Sequence, residues 1–215
     1  MKSVALLLLL AGIALSQQFV PVPSHPFGIT LPRSTAGKAQ VDFEIFIDLL
    51  CSDSKAFLPE WEKFLDLKLS DGSLVKDKIS VTYHLETLPY HHNSFFTHKL
   101  AAYLQANYDV NMQMNYVHAI YAGQEQFLDE AVKLNEHEVI SKLIQYASDQ
   151  IGIDADTLEK AWDGYTYEMD ARYIWKYAIS RRVTGTPAIV LNGVLSEDVP
   201  MTSEALQKAF LPYLQ

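Results

Sequence analysis

The chain of 215 residues contains one cysteine, Cys51, whose position suggests thiol chemistry. The alternating apolar run FEIFIDLL ends just before it, and the run SDSKAFLPEW, with helical spacing, begins just after it. A cysteine at a helix start faces unpaired backbone N–H groups and the positive end of the helix dipole, which both stabilise a thiolate. The sequence therefore predicts that Cys51 is a nucleophile. An inert, buried thiol is the alternative.

Two residues in the first turn of the predicted helix act on the sulfur in opposite directions. Ser54 lies about one helical turn beyond Cys51, so its hydroxyl can reach the sulfur and donate a hydrogen bond to a thiolate. The carboxylate of Asp53 opposes a nearby negative sulfur, but we expect it to point into water. Because the backbone donors are fixed and close, we expect the balance to favour the thiolate.

Period-two alternation predicts the strands that position these residues. The alternation from Val41 to Leu49 predicts a strand that delivers Cys51. The run ISVTYHLETLPY predicts a second strand over Ile79–Tyr90. Near the C-terminus, TPAIVLNGVLSED predicts a hairpin that turns at Asn192-Gly193, because both residue types tolerate positive φ.

Helical spacing predicts the remaining elements. Pro59 lies inside the helix after Cys51 and should kink it. Between the second strand and the hairpin, roughly ninety residues show apolar positions at helical spacing, and one core-facing stripe contains Ala171 and Trp175. Asp154 is expected to cap a helix in this region, and a last helix is expected after a cap at Thr202 or Ser203.

Cys51 and the later stretch RRVTGTPAIVLNG together make the chain resemble the DsbA-like branch of the thioredoxin superfamily. In that family a strand delivers a C-x-x-C motif to a kinked helix, and a helical domain is inserted after the second strand. A Gly-Thr/Val-Pro sequence then places a cis-proline beside the active cysteine, a position that Pro187 matches here. The resemblance implies an α/β, thioredoxin-like fold with an inserted all-helical subdomain.

The resemblance also implies which residues form the site. Cys51 and Ser54 occupy the catalytic positions, although Ser54 replaces the resolving cysteine of the family. The buried carboxylate that the family often has six residues before the first cysteine is replaced by Ile45. Without a second thiol, Cys51 can attack a disulfide, but an external thiol must release the mixed disulfide. The residues expected to bind the substrate are Ser52, Asp53, Thr186 and Pro187.

The N-terminal residues MKSVALLLLLAGIALSQQ are typical of a secretory signal peptide, with a charged start and an apolar stretch too short to span a membrane. A buried N-terminal helix is the alternative. We therefore expect the protein to be secreted or to lie in the lumen of the secretory pathway. The expected organisation is a signal peptide over 1–16, a proline-rich arm over 17–40, a thioredoxin-like domain over 41–90 and 183–215, and an inserted helical subdomain over 91–182.

Charge and motifs argue against several other classes of protein. The net charge is −9 and no basic stripe is present, so neither nucleic acid nor a membrane is an expected partner. No H-E-x-x-H motif or second cysteine accompanies His91, His92 and His98, so neither a metal nor another bound cofactor is expected. The expected partners are protein or peptide clients that carry cysteines, together with glutathione as external thiol.

Two functions stay open beside that of a monothiol thiol–disulfide oxidoreductase or isomerase. A groove beside Thr186 could hold an extended peptide by strand addition while Cys51 is redox-inactive. The kappa-class glutathione transferases also have the inserted helical domain, although they work inside cells and the signal peptide counts against them.

Overall fold

The structure of the protein is a computed structural model that describes residues 26–32, 39, 41–128, 131, 133–196 and 198–214. The predicted signal peptide and most of the predicted proline-rich arm lie outside the described residues. Within the described residues, no helix is long and apolar enough to cross a membrane.

A five-stranded mixed sheet forms the centre of the fold. Its strands are β1 (Ile29–Thr30), β2 (Val41–Ile47), β3 (Ile79–Leu85), β4 (Ala188–Leu191) and β5 (Val194–Leu195). They lie in the order β1-β3-β2-β4-β5, with β2 and β3 parallel and the other neighbouring pairs antiparallel. Since β2 has a partner on each side, its end is fixed in the middle of the sheet, and Cys51 follows that end.

Helices account for most of the chain between β3 and β4. The α-helices of the described residues are α1 (Ser52–Leu65), α2 (Val75–Lys78), α3 (Ser94–Asn107), α4 (Val110–Ala122), α5 (Glu136–Ile151), α6 (Ala155–Asp163), α7 (Tyr165–Ser180) and α8 (Ser203–Phe210). Short 3-10 helices cover Gln124–Phe127 and Leu211–Leu214. The helices α3 to α7 follow the second long strand and precede the final hairpin, which is the order that the sequence predicts.

Several local predictions are confirmed at the ends of the elements. The side chains of Asp154 and Thr202 each accept a hydrogen bond from the first turn of the helix that follows, α6 and α8 respectively. Asn192 and Gly193 have φ angles of 49° and 85°, so the predicted turn joins β4 to β5. The ends of these elements are therefore set by capping side chains and by turn residues that adopt positive φ.

The apolar face of α1 packs onto the sheet. Phe57, Trp61 and Phe64 are fully buried, and the ring of Trp61 lies 5.1 Å from that of Phe43 in β2. Burial of an aromatic side chain of this size contributes about 1.5–3 kcal/mol. Pro59 is exposed, and α1 continues through it from Ser52 to Leu65. The packing of α1 therefore fixes the helix whose first residues adjoin Cys51.

The prediction that the second strand runs to Tyr90 was wrong, because β3 ends at Leu85. Glu86 still donates its N–H to Ile47 of the neighbouring strand, over 2.9 Å. Beyond it, the N–H of Leu88 donates to a buried carboxylate, and Pro89 has no N–H to donate. The chain leaves the sheet here and forms the loop that leads to α3.

Two apolar residues lie in environments that the sequence did not predict. Ile29, in the segment predicted as an extended arm, is buried in β1 and pairs with β3. Trp175, predicted to lie in the core with Ala171, is 40% exposed on α7. The helical period identifies the apolar stripe of α7, but it cannot show which edge of that stripe is left uncovered.

Candidate active site

Cys51 is the N-cap residue of α1. Its N–H donates to the carbonyl oxygen of Asp48 over 3.1 Å, and its own carbonyl accepts from the N–H of Lys55 over 3.0 Å. A tight turn therefore connects the end of β2 to the start of α1. The residue is buried, with 6% of its surface exposed, and its side chain makes no capping hydrogen bond with the N–H groups of the first turn.

The sulfur of Cys51 lies against the segment that precedes β4. Its Sγ atom donates a hydrogen bond to the carbonyl oxygen of Thr186 over 3.3 Å. The peptide bond between Thr186 and Pro187 is cis, and both residues are half-buried. The hydroxyl of Thr186 is buried without a hydrogen-bond partner among the described residues. The fold thus places three of the expected site residues together.

The three residues after Cys51 divide between solvent and core. Ser52 and Asp53 are exposed, so both side chains are accessible to a ligand. Ser54 is fully buried, and its Oγ accepts a hydrogen bond from the N–H of Asp48 over 3.4 Å. Within the described part of the chain, Ser54 makes no hydrogen bond to the sulfur. In this structure the hydroxyl of Ser54 supports the turn before Cys51 instead.

Asp48 is a fully buried carboxylate beneath Cys51 that sequence analysis did not assign to the site. Its Oδ1 accepts from the N–H of Leu50 and from the hydroxyl of Ser94. Its Oδ2 accepts from the N–H of Leu88 over 2.9 Å and from Nδ1 of His91 over 2.8 Å. Leu50 adjoins the cysteine, and the other three donors belong to the residues around the start of α3. The carboxylate therefore joins the cysteine loop, residues 48–51, to the loop before the inserted helices.

Asp48 is ionised at neutral pH although it is buried. Burial is the largest single effect and raises the pKa of Asp48, but the hydrogen bond from His91 and, after it, the other neighbours, among them Ser94 and the N–H of Leu50, together bring it below the ordinary value. Because a carboxylate only accepts hydrogen bonds, Nδ1 of His91 carries the proton in this contact. Nε2 of His91 is then the ring nitrogen left for other partners, on a side chain that is 17% exposed.

His98 lies beneath the same loop as a neutral ring. Its Nε2 accepts from the N–H of Leu49 over 3.3 Å, so Nδ1 carries the proton and donates to the hydroxyl of Thr87 over 2.7 Å. Burial lowers the pKa of His98 to about 4. His98 therefore holds the turn before Cys51 in place without adding a charge.

Glu86 is a second buried carboxyl group near Asp48. Burial and then the negative charge of Asp48 raise the pKa of Glu86 to about 8, so the group is an uncharged acid at neutral pH. Its Oε2 has no hydrogen-bond partner among the described residues. Ile45, which replaces the family's carboxylate, is fully buried and apolar. An acidic residue directly after an apolar strand, as Asp48 and Glu86 both are, was the sequence signal for these two groups.

The inserted helices also bind the cysteine loop. The amide of Gln124, which is buried, donates to the carbonyl oxygens of Leu49 and Cys51, each over 3.1 Å. The hydroxyl of Tyr121 in α4 donates to the carbonyl oxygen of Asp48 over 3.3 Å. The cysteine loop is therefore held by the helical part of the chain as well as by the sheet.

Tyr90 lies on the exposed rim of the site. It is 68% exposed, and its ring lies 4.9 Å from that of His91. Burial, and after it the charges that Cys51, Asp48 and Asp53 carry when ionised, raise the pKa of Tyr90. Tyr90 therefore covers the outer side of His91 on the loop before α3.

An apolar cavity of about 300 Å³ lies beside this loop. It is lined by Thr87, Pro89, Phe95, Arg172 and Trp175. Thr87 also receives the hydrogen bond from His98, so the cavity shares a wall with the network beneath Cys51. Among the described residues, no group of three or more His, Cys, Asp or Glu side chains is arranged to hold a metal ion.

The sequence model of the DSBA-like thioredoxin domain matches residues 69–207, which is more than half of the chain. The protein belongs to this family. The resemblance seen in the sequence is thereby confirmed, as is the α/β, thioredoxin-like fold with inserted helices. The matched residues include Thr186 and Pro187 but begin after Cys51, so the thiol itself is outside the match.

Solved structures of the DsbA family share this fold. Oxidised BdbD from Bacillus subtilis matches with a TM-score of 0.63 and 15% identity, over 87% of this chain and 92% of that one. DsbA2 from Pseudomonas aeruginosa matches with a TM-score of 0.61 and 18% identity, over 90% and 97%. The oxidoreductase NmDsbA1 from N. meningitidis matches with a TM-score of 0.57 and 16% identity, over 85% and 86%. At such identities the likeness concerns the fold alone. No curated protein sequence matches the chain.

Proposed function

We propose that the protein is a monothiol thiol–disulfide oxidoreductase or isomerase that acts on protein or peptide clients through Cys51. The observation that carries this proposal is the position of the Cys51 sulfur at the start of α1 and against the carbonyl oxygen of Thr186. A helix start stabilises the thiolate, which is the form that attacks a disulfide. Membership of the DsbA-like family, whose solved relatives include the oxidoreductase NmDsbA1, supports the same conclusion.

The reaction has two thiol–disulfide exchange steps. In the first, the Cys51 thiolate attacks one sulfur of a client disulfide, a mixed disulfide forms, and the other client sulfur leaves as a thiolate. In the second, an external thiol such as glutathione, or another client cysteine, attacks the client sulfur of the mixed disulfide and regenerates the Cys51 thiolate. The attacking thiol is oxidised in that step and the sulfur of Cys51 is reduced. Ser54 has no thiol to supply, so no step within the chain replaces the second one.

The client would bind across the exposed side of the site. Ser52 and Asp53, the two residues after Cys51, are exposed, and Thr186, whose carbonyl oxygen contacts the sulfur, is half-buried. A client in an extended conformation can pair with the backbone at Thr186 by strand addition. The apolar cavity beside Pro89 can accept an apolar client side chain.

The reaction needs no bound cofactor, and glutathione takes part only as an external thiol. We infer that the protein acts in an oxidising compartment, either outside the cell or in the lumen of the secretory pathway, because residues 1–16 read as a signal peptide. Client disulfides persist in such a compartment.

A redox-inactive peptide-binding module is the second candidate function. The observation that favours it is the burial of Cys51, whose exposed surface is 6% and whose thiol proton is donated to Thr186. In that case the backbone at Thr186 would bind peptide by strand addition, and the thiol would only stabilise the packing.

The two functions are separated by incubating the protein with oxidised glutathione and measuring its intact mass. The oxidoreductase should acquire one glutathione adduct, and a Cys51→Ala variant should acquire none. The protein should also accelerate the reduction of insulin by glutathione, relative to the same variant. Absence of both the adduct and the acceleration would leave the binding module. Turnover of an electrophile with glutathione would point instead to the transferase.

A further inference from the structure

We propose that His91, held by Asp48, is the general base that deprotonates the external thiol in the second exchange step. This inference rests on the proposed function, because it concerns the release of the mixed disulfide on Cys51. It goes beyond that function by naming a catalytic residue that does not belong to the C-x-x-S motif or to the Thr186-Pro187 segment.

The hydrogen bond between His91 and Asp48 prepares the ring for proton transfer. Nδ1 of His91 donates to Oδ2 of Asp48 over 2.8 Å, and Asp48 itself is fully buried and held by three further donors. In the neutral ring this contact fixes the tautomer, with the lone pair on Nε2. The buried carboxylate would also stabilise the imidazolium that forms when Nε2 takes up a proton.

The same carboxylate joins His91 to the turn that carries Cys51. Oδ1 of Asp48 accepts from Leu50, the neighbour of Cys51, while the main-chain oxygen of Asp48 accepts from the N–H of Cys51. The ring of His91 contacts that of Tyr90, which is 68% exposed at the outer edge of the same loop. His91 is partly exposed, so a thiol arriving from solvent can reach its ring.

The charges around His91 favour this role. Asp48 is the ionised group in contact with it. His98, whose Nε2 lies 3.9 Å from Oδ1 of Asp48, and Glu86 are both uncharged at neutral pH. Tyr90 packs on the outer side as a neutral phenol, near the exposed Asp53. Among the described residues that contact Asp48 or His91, no lysine or arginine offsets the negative charge of Asp48.

The chemistry of the site needs such a base. Ser54 cannot release the mixed disulfide, and the external thiol that must do so is mostly protonated at neutral pH. As the external sulfur attacks the outer sulfur of the mixed disulfide, its proton passes to Nε2 of His91. The mixed disulfide breaks, Cys51 leaves as a thiolate, and the external thiol ends in a new disulfide. His91 then returns its proton to water or to the sulfur of Cys51, which balances the step.

The test uses the full-length protein with glutathione attached to Cys51 through an activated pyridyl disulfide. Release of glutathione is followed by intact mass at neutral pH, with trifluoroethanethiol as an acidic thiol and 2-mercaptoethanol as a weakly acidic one. His91→Asn is the main variant, because the Asn amide can still donate to Asp48 but has no basic nitrogen. His92→Gln is the matched control, since His92 is the next residue of the same loop and is exposed.

We expect His91→Asn to slow release by 2-mercaptoethanol by about 10- to 100-fold, and release by trifluoroethanethiol by less than about twofold. His92→Gln should change neither rate. Added imidazole should restore part of the rate that His91→Asn loses. A structural role for His91 would instead slow both thiols equally, and equal rates for wild type and His91→Asn would also overturn the proposal.

Two further measurements keep the outcomes separate. If His91→Asn does not fold, the rates at which the two thiols release glutathione from the wild-type protein decide alone. With a general base, these rates should depend less on the ionised fraction of the thiol than the rates at which the same thiols reduce free oxidised glutathione. A dependence as steep as that of the free disulfide would overturn the proposal. Failure of the proposed function is seen independently, as a lack of insulin reduction, and the intact mass shows separately whether the activated disulfide has loaded Cys51.

Discussion

The thiol of Cys51 donates a hydrogen bond to the carbonyl oxygen of Thr186 over 3.3 Å, although the two residues lie 135 positions apart. The sheet brings them together. β2 and β4 are antiparallel neighbours in which Phe46 pairs with Ala188, so the residues after the end of β2 meet those before the start of β4. This contact places the helix-start cysteine against the backbone of Thr186.

Asp48 should be the residue whose charge matters most for the integrity of this site. Asp48→Asn removes the charge from a buried group with four side-chain hydrogen bonds, and the new amide cannot accept all four of them. We expect the free energy of unfolding, measured with urea, to fall by roughly 2–4 kcal/mol.

Asp109→Asn is the control for Asp48→Asn. Asp109 is exposed and caps α4 by accepting from the N–H of Met112, and asparagine caps a helix equally well. Its effect on unfolding should stay within about 0.5 kcal/mol. Equal losses for the two variants would mean that the network around Asp48 contributes little.

Glu86 should make the protein less stable as the pH rises. Its pKa is about 8 in the folded protein against 4.5 for an exposed glutamate, so the folded state retains a proton that the unfolded state releases. The stability from this group is complete below about pH 4.5 and is lost as the pH rises to about 8.

Glu86→Gln stays uncharged throughout this range, so its stability relative to wild type should increase between pH 5 and pH 8, reaching roughly 1–3 kcal/mol. Urea unfolding at several pH values measures this difference. The exposed Glu159→Gln serves as control and should show no such trend. A pH-independent effect of Glu86→Gln would show that Glu86 is ionised in the folded state.

His98 should make the protein less stable as the pH falls, over a lower pH range than the one in which Glu86 acts. Its pKa is about 4 in the folded protein against 6.5 in the unfolded chain, so the unfolded state takes up a proton first as the pH falls. The stability that depends on neutral His98 is present above about pH 6.5 and is lost as the pH falls toward 4.

His98→Asn should destabilise the protein by roughly 2–3 kcal/mol at pH 7, because it disturbs the hydrogen bonds to Leu49 and Thr87. The difference from wild type should shrink on going from pH 7 to pH 4, as measured by thermal or urea unfolding. A constant difference over this range would contradict a neutral, buried ring. A variant of His118 provides the control: the hydrogen bond with Glu62 raises the pKa of His118, so the difference of this variant from wild type should not shrink as the pH falls.

Thr186→Val should leave stability unchanged or raise it by up to about 1 kcal/mol, because the hydroxyl that it removes is buried without a partner. Formation of the glutathione adduct on Cys51 should persist, since the sulfur bonds to the main-chain oxygen of Thr186. Calorimetry and intact mass measure the two effects. Thr97→Val, which removes a buried hydroxyl that donates to Ser94, should cost roughly 1 kcal/mol by comparison. A larger loss for Thr186→Val than for Thr97→Val would show that the Thr186 hydroxyl does have a partner.

Much of the architecture could be predicted from local patterns. Period-two alternation predicted β2 because each of its apolar residues faces a covered side of the sheet, and the Asn192-Gly193 turn followed from the φ angles that these residue types tolerate. The caps at Asp154 and Thr202 needed only a side-chain oxygen three residues before a free N–H. The end of β3 could not be predicted in this way, because the alternation itself does not show where the partner strand stops.

The sequence by itself determined which thiol is present, that it begins a helix, and that Ser54 offers no second thiol. Only the tertiary structure decided that Asp48 is buried and that His91 is its partner. The reason is physical: a carboxylate can be buried when enough donors surround it, and three donors to Asp48 come from residues 40 to 46 positions further along the chain. No pattern near Asp48 in the sequence contains those donors, so the fold had to bring them to it.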